Sequence, residues 1–377
     1  MDLLNKRVLM TGSNGFIGKN LKVHLSEYPE VVVTTFDRGD DPSRLKELLG
    51  AADCVVHLAG ENRPDDPSAF DDVNAGLTSA ICDLIQNEVL THGRKVPILL
   101  ASSTQAVQDN PYGRSKLAAE ESLQRLAKFT GNPCLILRLP GVFGKWCRPH
   151  YNSVVATFCH QLARNLPIQV NDPSATIRLV YVDDVVKSML TSLSSPPQGL
   201  TQVDVQPEYE VRLEDLATQI DAFANSSTSL ITERVGEGFV RALYATYVSY
   251  LPNQKFSYPL SQHADSRGVF VELLKTKDSG QFSYFTAHPG ITRGGHYHHT
   301  KTEKFLVVKG QALFRFRHVI TDEVVEIRTS ADTPEVVDTI PGWAHDITNV
   351  GEDDMIVMLW ANENFDREKP DTVASEV

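Results

Sequence analysis

The sequence predicts an α/β domain built on a doubly wound parallel sheet, followed by an all-β barrel domain. Over roughly the first 190 residues, short β-rich runs alternate with helix-length amphipathic segments, which indicates a parallel sheet covered on both faces. A glycine-rich turn follows the first of these runs. From about residue 256 onward helix patterns nearly vanish, and Gly, Pro, Asp and Asn separate short strands, as in barrels and sandwiches.

The length of the chain also favours two domains. At 377 residues it is longer than one hydrophobic core usually supports. The change of pattern places the boundary near residue 252. We therefore expect a nucleotide-binding domain over residues 1–250 and a barrel domain over residues 253–377.

The elements of the first domain follow in order. Its predicted strands span residues 8–11, 31–36, 54–58, 98–102 and 135–139. Each is a short apolar run, as expected for a strand that is buried on both faces. Predicted helices lie between and after them, at 15–25, 45–49, 74–86, 115–129 and 154–164. Residues 194–199, rich in Ser and Pro, interrupt this rhythm, and 211–224 is predicted as a further helix.

Composition excludes several classes of function. A formal net charge of -12 argues against nucleic-acid or anionic-membrane binding, since both need excess Lys and Arg. The amino terminus runs into a strand without a secretory signal, and no apolar run reaches membrane-spanning length. The five cysteines are odd in number and lack metal-site spacing. We expect a cytoplasmic protein with reduced thiols.

The glycine turn predicts a dinucleotide site. Gly12, Gly15 and Gly18, with Phe16 and Ile17 between them, follow the first strand and open the first helix. Glycines let the backbone approach a pyrophosphate, and the helix amino terminus supplies amide donors.

Two further segments belong to this predicted cofactor site. Leu58, Ala59 and Gly60 end the third strand with small residues, where a bulky side chain would collide with the cofactor. Asp37 and Arg38 end the second strand. Asp37 would accept hydrogen bonds from an adenosine ribose and favours NAD, whereas Arg38 would pair with the extra phosphate of NADP. The residues alone leave both cofactors open.

A serine, a tyrosine and a lysine predict the chemistry of the first domain. Tyr112 and Lys116 are four residues apart and share a helical face. A nearby ammonium favours tyrosinate, so Tyr112 can exchange a proton with a carbinol oxygen, while Ser103 steadies the carbonyl. His57, inside the third strand, is expected to be a structural histidine.

Three histidines and a glutamate predict a metal site in the barrel. His296 and His298 are two residues apart and share a face of a strand, with Glu303 five residues further on. His345 offers a fourth ligand. Three nitrogens and one oxygen suit a divalent ion such as zinc.

Residues 1–250 resemble the extended short-chain dehydrogenases that act on nucleotide sugars, which have a Rossmann fold. The shared features are the glycine turn, residues 53–60, Asn74, the set of Ser103, Tyr112 and Lys116, Arg138, Gly144 and residues 181–184. The resemblance implies a nicotinamide cofactor, with Lys116 among its binding residues. Two positions depart from the family: Gly141 stands where Asn is usual, and the pyrophosphate-binding Arg falls at Ile177, one residue before Arg178. UDP recognition is therefore expected to pass to Lys145, Arg148, Asn152 or Arg178.

The second half resembles the cupins, which are jelly-roll barrels. Residues 263–272 and 293–296 look like their sugar-nucleotide epimerase branch, which implies that Arg267 and Glu272 contact substrate. The deprotonating histidine of that branch falls on His296, but a histidine bound to zinc cannot also take up a proton. We favour bound zinc with His296 as a ligand. The candidates for moving the proton are then His298, Lys304 and Tyr284.

The whole chain resembles the bifunctional enzymes that make UDP-N-acetyl-L-fucosamine for capsules and O-antigens. The resemblance implies that the barrel epimerises UDP-2-acetamido-2,6-dideoxy-4-hexulose at C3, next to the ketone. The first domain would then reduce the C4 ketone with NADPH to the L-talo sugar. The resemblance thus favours Arg38 over Asp37 and implies a homodimer.

Three rival interpretations stay open at this point. The barrel could serve only dimerisation, leaving a monofunctional nucleotide-sugar reductase. The first domain could be a nicotinamide sensor, although a sensor would not need Tyr112 and Lys116. The barrel ligands would also suit an iron dioxygenase.

Overall fold

The computed structural model describes residues 6–62, 66, 70–368 and 370–377, which form two compact units. The first contains Met1–Ile220 and Ala242–Leu251, and the second contains Asp221–Arg241 and Pro252–Val377. The predicted boundary near residue 252 coincides with the last of these divisions. The segment Asp221–Arg241, however, groups with the second unit, because its strand Ile231–Thr232 pairs with a strand of that unit. The first five residues, where the sequence shows no secretory signal, lie outside the described residues.

The elements of the first unit alternate as the sequence predicts. Its strands are β1 (Arg7–Thr11), β2 (Val32–Phe36), β3 (Cys54–His57), β4 (Ile98–Ser103), β5 (Cys134–Leu139), β6 (Gly141–Phe143), β7 (Thr176–Tyr181), β8 (Leu200–Gln202) and β9 (Glu208–Arg212). Its helices are α1 (Phe16–Ser26), α2 (Arg44–Ala51), α3 (Leu77–His92), α4 (Pro111–Thr130), α5 (Val154–Leu162) and α6 (Val182–Ser194). The helices α7 (Leu213–Ser229) and α8 (Gly238–Val248) are each divided between the two units.

The main sheet of the first unit is parallel and doubly wound. Its strand order is β2-β1-β3-β4-β5-β8, so the chain reverses direction across the sheet between β1 and β3. Alternate residues face opposite layers: Val8 and Met10 pack in one apolar cluster, whereas Leu9 packs in the other. The predicted fold class is confirmed. Ligands of such sheets bind beyond the carboxyl ends of the strands at the reversal. The glycine turn lies at this point because it directly follows β1.

Several elements differ from the sequence prediction. Helix α4 begins four residues earlier than expected, because the side chain of Asn110 accepts a hydrogen bond from the amide of Gly113 and Pro111 is the first helical residue. Residues Phe70–Gly76 form a π-helical turn rather than the start of a regular helix. Helices α6 and α8 and the small sheet β6-β7-β9 were not predicted.

The second unit is almost entirely β. Its strands are β10 (Ile231–Thr232), β11 (Gln262–Asp265), β12 (Gly268–Thr276), β13 (Gln281–Ala287), β14 (Thr292–Tyr297), β15 (Glu303–Lys309), β16 (Gln311–His318), β17 (Val324–Ser330), β18 (Val336–Asp338), β19 (Trp343–Asn349), β20 (Met355–Ala361) and β21 (Val373–Ala374). One sheet has the order β10-β12-β13-β20-β15-β18, with β11 on β12, and the other β17-β16-β19-β14-β21. The inner faces share a core that includes Phe285 and Phe305 from the first sheet and Phe314 from the second. The prediction of an all-β second half is confirmed.

The thiols and helices of the described residues add two observations. Cys54, Cys82, Cys134 and Cys159 are buried and unpaired, and Cys147 is half-buried and unpaired. Among these residues, no helix combines the length and apolarity needed to cross a bilayer.

Candidate active sites

The glycine turn forms a tight cradle between β1 and α1. Gly12 has a φ of 69°, and a Cβ at this position would lie 2.5 Å from the amide nitrogen of Ala59. A Cβ on Gly18 would lie 2.3 Å from the carbonyl oxygen of Gly12. Gly15 is the N-cap of α1 and has no side chain that could accept a hydrogen bond from the first turn. The cap therefore provides no side-chain acceptor for the amides of Phe16 and Ile17. This geometry fits a pyrophosphate.

The two residues that end β2 have different partners. One carboxylate oxygen of Asp37 accepts a hydrogen bond of 2.7 Å from the amide of Ser13, and the other accepts from the Ser13 hydroxyl and the Asn14 amide group. Asp37 thus already holds the glycine turn. Arg38 is ion-paired with Glu61, but its side chain is 82% exposed. The arginine is therefore the residue of the two that is open to an anionic ligand.

The end of β3 carries small residues and a structural histidine. His57 is fully buried, and its ring nitrogens lie 2.6 Å from the hydroxyl of Thr11 and 2.8 Å from that of Thr78. Burial lowers the pKa of His57 to about 3, so the ring is neutral. A Cβ on Gly60 would lie 2.9 Å from the ammonium of Lys116, so this position brings the backbone close to the predicted catalytic lysine.

Ser103, Tyr112 and Lys116 meet beside this cradle. Burial raises the pKa of Tyr112, and a hydrogen bond with Ser103 acts in the opposite direction. The ammonium of Lys116 lies 6.0 Å from the centroid of the Tyr112 ring and donates to the carbonyl of Ala101 at 3.2 Å. Burial lowers the pKa of Lys116 to about 8. From the sequence we expected the ammonium to favour tyrosinate; burial instead raises the pKa of Tyr112, so this half-buried phenol stays protonated at neutral pH.

The neighbouring serine is engaged in a separate buried network. Ser102 donates a hydrogen bond of 2.5 Å to Glu120, which is paired with Arg138 at 2.6 Å. Ser103 is therefore the hydroxyl directed to Tyr112. Sequence reasoning missed Glu120, although its position four residues after Lys116 places both on one face of α4.

The first unit contains a cavity of about 480 Å³. Its lining residues include Thr104, which directly follows Ser103 in the sequence. This volume is in the range of small-molecule sites. Its lining includes two of the predicted substrate residues, Asn152 and Arg178, the latter ion-paired with Glu208. Gly141 also lines it, and a Cβ there would lie 3.0 Å from Leu179. The glycine that departs from the family pattern is therefore closely packed against another residue of the cavity wall.

The other two substrate residues predicted in the first unit have internal partners. Lys145 is ion-paired with Asp183 at 2.5 Å, and the guanidinium of Arg148 lies 5.2 Å from the ring centroid of Tyr151. Neither is part of the cavity wall. The structure therefore brings Asn152 and Arg178 together but not Lys145 and Arg148.

A β-bulge builds the histidine cluster of the second unit. Strand β14 pairs with β19 in a register that shifts between Gly294 and His296, so that His296 stands opposite His345. Gly294 has a φ of 97°, and a Cβ there would lie 2.8 Å from the carbonyl of His345. Bulges of this kind re-aim a side chain. Here the bulge places two histidines side by side.

His298, Glu303 and His345 complete the cluster. The candidate ligand atoms of the four residues lie within 4.8 Å of one another. Nε2 of His298 is 3.2 Å from Oε2 of Glu303. His345 is buried, its Nε2 lies 3.5 Å from Oε2 of Glu303, and neither of its ring nitrogens makes a hydrogen bond within the described residues. Buried polar atoms without partners are costly, so this donor set fits a bound metal ion, as the sequence predicts.

The protonation states of the cluster suit a cation. Burial lowers the pKa of His296 to about 4, and the neighbouring His345 and His298 act in the same direction, so the ring is neutral at pH 7. Burial acts to raise the pKa of Glu303, but the adjacent histidines and Lys301 outweigh it and hold that pKa well below its usual range. Neutral imidazoles and a carboxylate are the forms that coordinate metals.

The lysine of this cluster is Lys301, which the sequence analysis did not select. Its buried ammonium lies 2.8 Å from Oε1 of Glu303. The prediction of Lys304 is corrected: this side chain pairs with Asp338 and is exposed, because consecutive strand residues face opposite sides and Glu303 faces inward. Tyr284 is likewise next to the inward-facing Phe285 and points to the other face of β13. Alternation along β15 was a signal against Lys304, whereas Lys301 lies in the loop before that strand.

The predicted substrate residues of the barrel lie outside this cluster. Arg267 is paired with Asp265 at 2.6 Å in an exposed turn, and Glu272 is paired with Lys275 at 3.0 Å. Arg293 was not predicted as a site residue. Its guanidinium lies 5.2 Å from the Phe285 ring centroid, and its buried Nη2 has no hydrogen-bond partner among the described residues.

Each half of the chain matches a known protein family or domain model. Residues 8–206 match the model of the NAD dependent epimerase/dehydratase family, more than half of the chain. The chain belongs to this family. Residues 263–373 match the polysaccharide biosynthesis C-terminal domain.

Two known proteins are similar to this one over nearly the whole chain. The UDP-2-acetamido-2,6-beta-L-arabino-hexul-4-ose reductase of Pseudomonas aeruginosa is 54% identical over 98% of this chain and 99% of its own. The crystal structure of the capsular polysaccharide assembling protein CapF from Staphylococcus aureus matches with a TM-score of 0.89 and 43% identity, over 98% of this chain and 100% of its own. The predicted resemblance to capsule-biosynthesis enzymes is thereby confirmed.

A more distant solved structure shares the fold of the first half. WbmF from Bordetella bronchiseptica, solved with NAD+, has a TM-score of 0.52 and 20% identity over 60% of this chain and 81% of its own. At this identity the likeness concerns fold alone.

Proposed function

We propose that the protein is a bifunctional nucleotide-sugar enzyme that epimerises a 4-ketosugar in its barrel and reduces the ketone in its Rossmann unit. The observation that carries the proposal is the presence in one chain of a Ser103-Tyr112-Lys116 site and a four-residue cluster that fits a metal. The 54% identity to a nucleotide-sugar reductase over nearly the full chain supports the reductase. The substrate class is a UDP-linked, N-acetylated 6-deoxy-4-ketosugar.

The Rossmann unit provides a proton donor for ketone reduction. NADPH, when bound, would supply the hydride. Tyr112 is a half-buried, protonated phenol, which suits donation to the developing alkoxide at C4. Ser103 lies beside it and would hold the ketone oxygen. The ammonium of Lys116 lies near the Tyr112 ring and also near the backbone of Gly60. The proposed product is UDP-2-acetamido-2,6-dideoxy-L-talose.

The barrel provides a buried site for inversion at C3. The hydrogen next to a ketone is acidic because the carbanion delocalises onto the carbonyl oxygen. Zinc, when bound by His296, His298, Glu303 and His345, would polarise that oxygen. Lys301 adds a buried positive charge close to the same cluster, which would stabilise the enolate.

The order of the two reactions follows from the chemistry of the ketone. Inversion at C3 requires an intact ketone, whereas reduction removes it and fixes the new configuration. The reversible step is therefore drawn forward by the reductive one. This gives a physical reason for joining the two sites in one chain. We propose a cytoplasmic homodimer, as the resemblance implies.

Incubation of the purified protein with the ketosugar in heavy water, with and without NADPH, tests the proposal by NMR. Without NADPH, we expect deuterium at C3. With NADPH, we expect one molecule of NADPH to be oxidised for each molecule of product formed. The product should carry deuterium at C3. Reduction without deuterium at C3 would leave a monofunctional reductase.

Arg38→Ala is expected to weaken the binding of NADPH more than the binding of NADH. The exposed guanidinium is the group available to pair with the 2′-phosphate, and a hydrogen-bonded charge pair is worth about 1.5–3 kcal/mol. We expect KM for NADPH to rise roughly 10- to 100-fold and KM for NADH to change little. Equal changes for both cofactors would place the 2′-phosphate elsewhere.

His296→Asn separates the two roles that the sequence left to this histidine. If His296 is a ligand, we expect zinc affinity and deuterium exchange to fall together. If it is the base, zinc content stays and exchange is lost. Because His296 is the least buried of the four residues, the measurement pairs elemental analysis after dialysis with exchange at C3.

A further inference from the structure

The carboxyl-terminal tail runs along the strand that carries the first metal-site histidine. Strand β21 pairs with β14, so that Ala374 stands opposite His296. Ser375 donates its amide to the carbonyl of Gly295 at 2.9 Å. Beyond it, Arg317 donates to the carbonyl of Glu376 at 2.7 Å and to the hydroxyl of Ser375 at 2.9 Å. The tail is thus anchored on both sides of the bulge.

At the other end of the tail, Asp371 closes the loop between the second histidine and the glutamate. Its Oδ1 accepts from the amide of His299 at 2.9 Å, and its Oδ2 accepts from the amides of Thr300 and Lys301 at 2.7 and 2.8 Å. The hydroxyl of Thr300 donates to the same oxygen at 2.9 Å. One carboxylate therefore fixes three consecutive backbone amides between His298 and Glu303.

The backbone of the same residue sets the orientation of a histidine ring. Nδ1 of His298 donates to the carbonyl oxygen of Asp371. This bond fixes the tautomer, so that Nε2 carries the lone pair and faces Glu303 at 3.2 Å. Hydrogen bonds of this kind orient metal ligands and are worth 10- to 100-fold in metal affinity.

We propose that Asp371 is a positioning residue of the barrel metal site, and that the tail around it acts as a clasp on His298 and on the loop 299–301. The carbonyl orients the ring, and the carboxylate holds the loop that leads to Glu303. Without the clasp, the ring of His298 would have to reach the right orientation and the right tautomer before it could bind a metal. This inference rests on the metal site of the proposed function.

Zinc titration of the full-length chain tests the clasp, with a chromophoric chelator as competitor. Asp371→Ala is expected to weaken Zn²⁺ binding about 10- to 100-fold. Asp371→Asn keeps the size and one acceptor oxygen, so we expect a smaller loss, and it is the deciding variant if Asp371→Ala fails to fold. Asp354→Asn is the control, because that exposed carboxylate pairs with His288 instead. The Co²⁺ absorption spectrum should shift in the Asp371 variants alone.

The outcomes separate the clasp from the metal site itself. Wild-type affinity and an unchanged Co²⁺ spectrum in Asp371→Asn and Asp371→Ala would overturn the clasp while leaving the metal site in place. Failure of the wild-type chain to bind Zn²⁺ or Co²⁺ would overturn both. A loss of affinity without a change in the melting temperature of the metal-free protein supports positioning rather than a general effect on folding.

Discussion

Replacing Tyr112 with phenylalanine is expected to lower the rate of NADPH oxidation by roughly 10²- to 10⁴-fold, the usual contribution of a general acid. The variant keeps the ring beneath the Lys116 ammonium and removes the protonated phenol that would donate to the alkoxide. Since the barrel is a separate unit, deuterium exchange at C3 of the ketosugar should continue at the wild-type rate. The measurements are NADPH absorbance and NMR in heavy water.

The control for this variant is Tyr28→Phe, which removes a hydroxyl from another half-buried tyrosine of the same unit. It should leave both rates unchanged. Loss of deuterium exchange in Tyr112→Phe would show that the two reactions share a site. Retention of NADPH oxidation would show that another group donates the proton, and Ser103 would then be the nearest candidate.

The first fold could be predicted from the sequence because its signals are local. Each buried strand of the parallel sheet is a continuous apolar run, and the glycine turn lies between the first strand and the first helix. The small sheet β6-β7-β9 escaped prediction, because its pairing of Val142 with Val180 joins residues far apart in the chain. The same reason explains the assignment of Ile231–Thr232, which pairs with Lys275 and Thr276.

The candidate sites divide in a similar way. Part of the metal cluster follows from spacing, because His296 and His298 are at alternate positions and share a face, while Glu303 comes from the start of the next strand, β15. Alternation along β15 argues only against Lys304, because Lys301 lies in the loop before that strand, so only this part of the correction was within reach of the sequence. Asp371 was not, because its contacts with His298 depend on how the tail folds back.

The protonation state of Tyr112 also lay beyond the sequence. A lysine four residues away predicts a lowered pKa, but the direction depends on burial and on where the ammonium points. Here Lys116 donates to a backbone carbonyl, and burial of Tyr112 raises its pKa. The resulting phenol suits reduction of a ketone.

His345→Ala is expected to abolish zinc binding and deuterium exchange at C3, with exchange falling at least ~100-fold. His345 is a buried ring without hydrogen-bond partners among the described residues, and its loss leaves three candidate ligands. NADPH oxidation with the starting ketosugar should also fall, because the epimer is no longer formed. NADPH oxidation with the pre-formed epimer should be unaffected, because the Ser103-Tyr112-Lys116 site lies in the other unit.

Mixing the two inactive variants tests this separation directly. Tyr112→Phe should epimerise the ketosugar and His345→Ala should reduce the released epimer, so the mixture should oxidise NADPH although neither variant does so alone. Zinc content of about one ion per Tyr112→Phe chain and near zero per His345→Ala chain should accompany this result. A mixture that stays inactive would contradict a freely released intermediate. If His345→Ala retains both zinc and exchange, the cluster is not the epimerase site, and the barrel then has no catalytic role that its buried histidines explain.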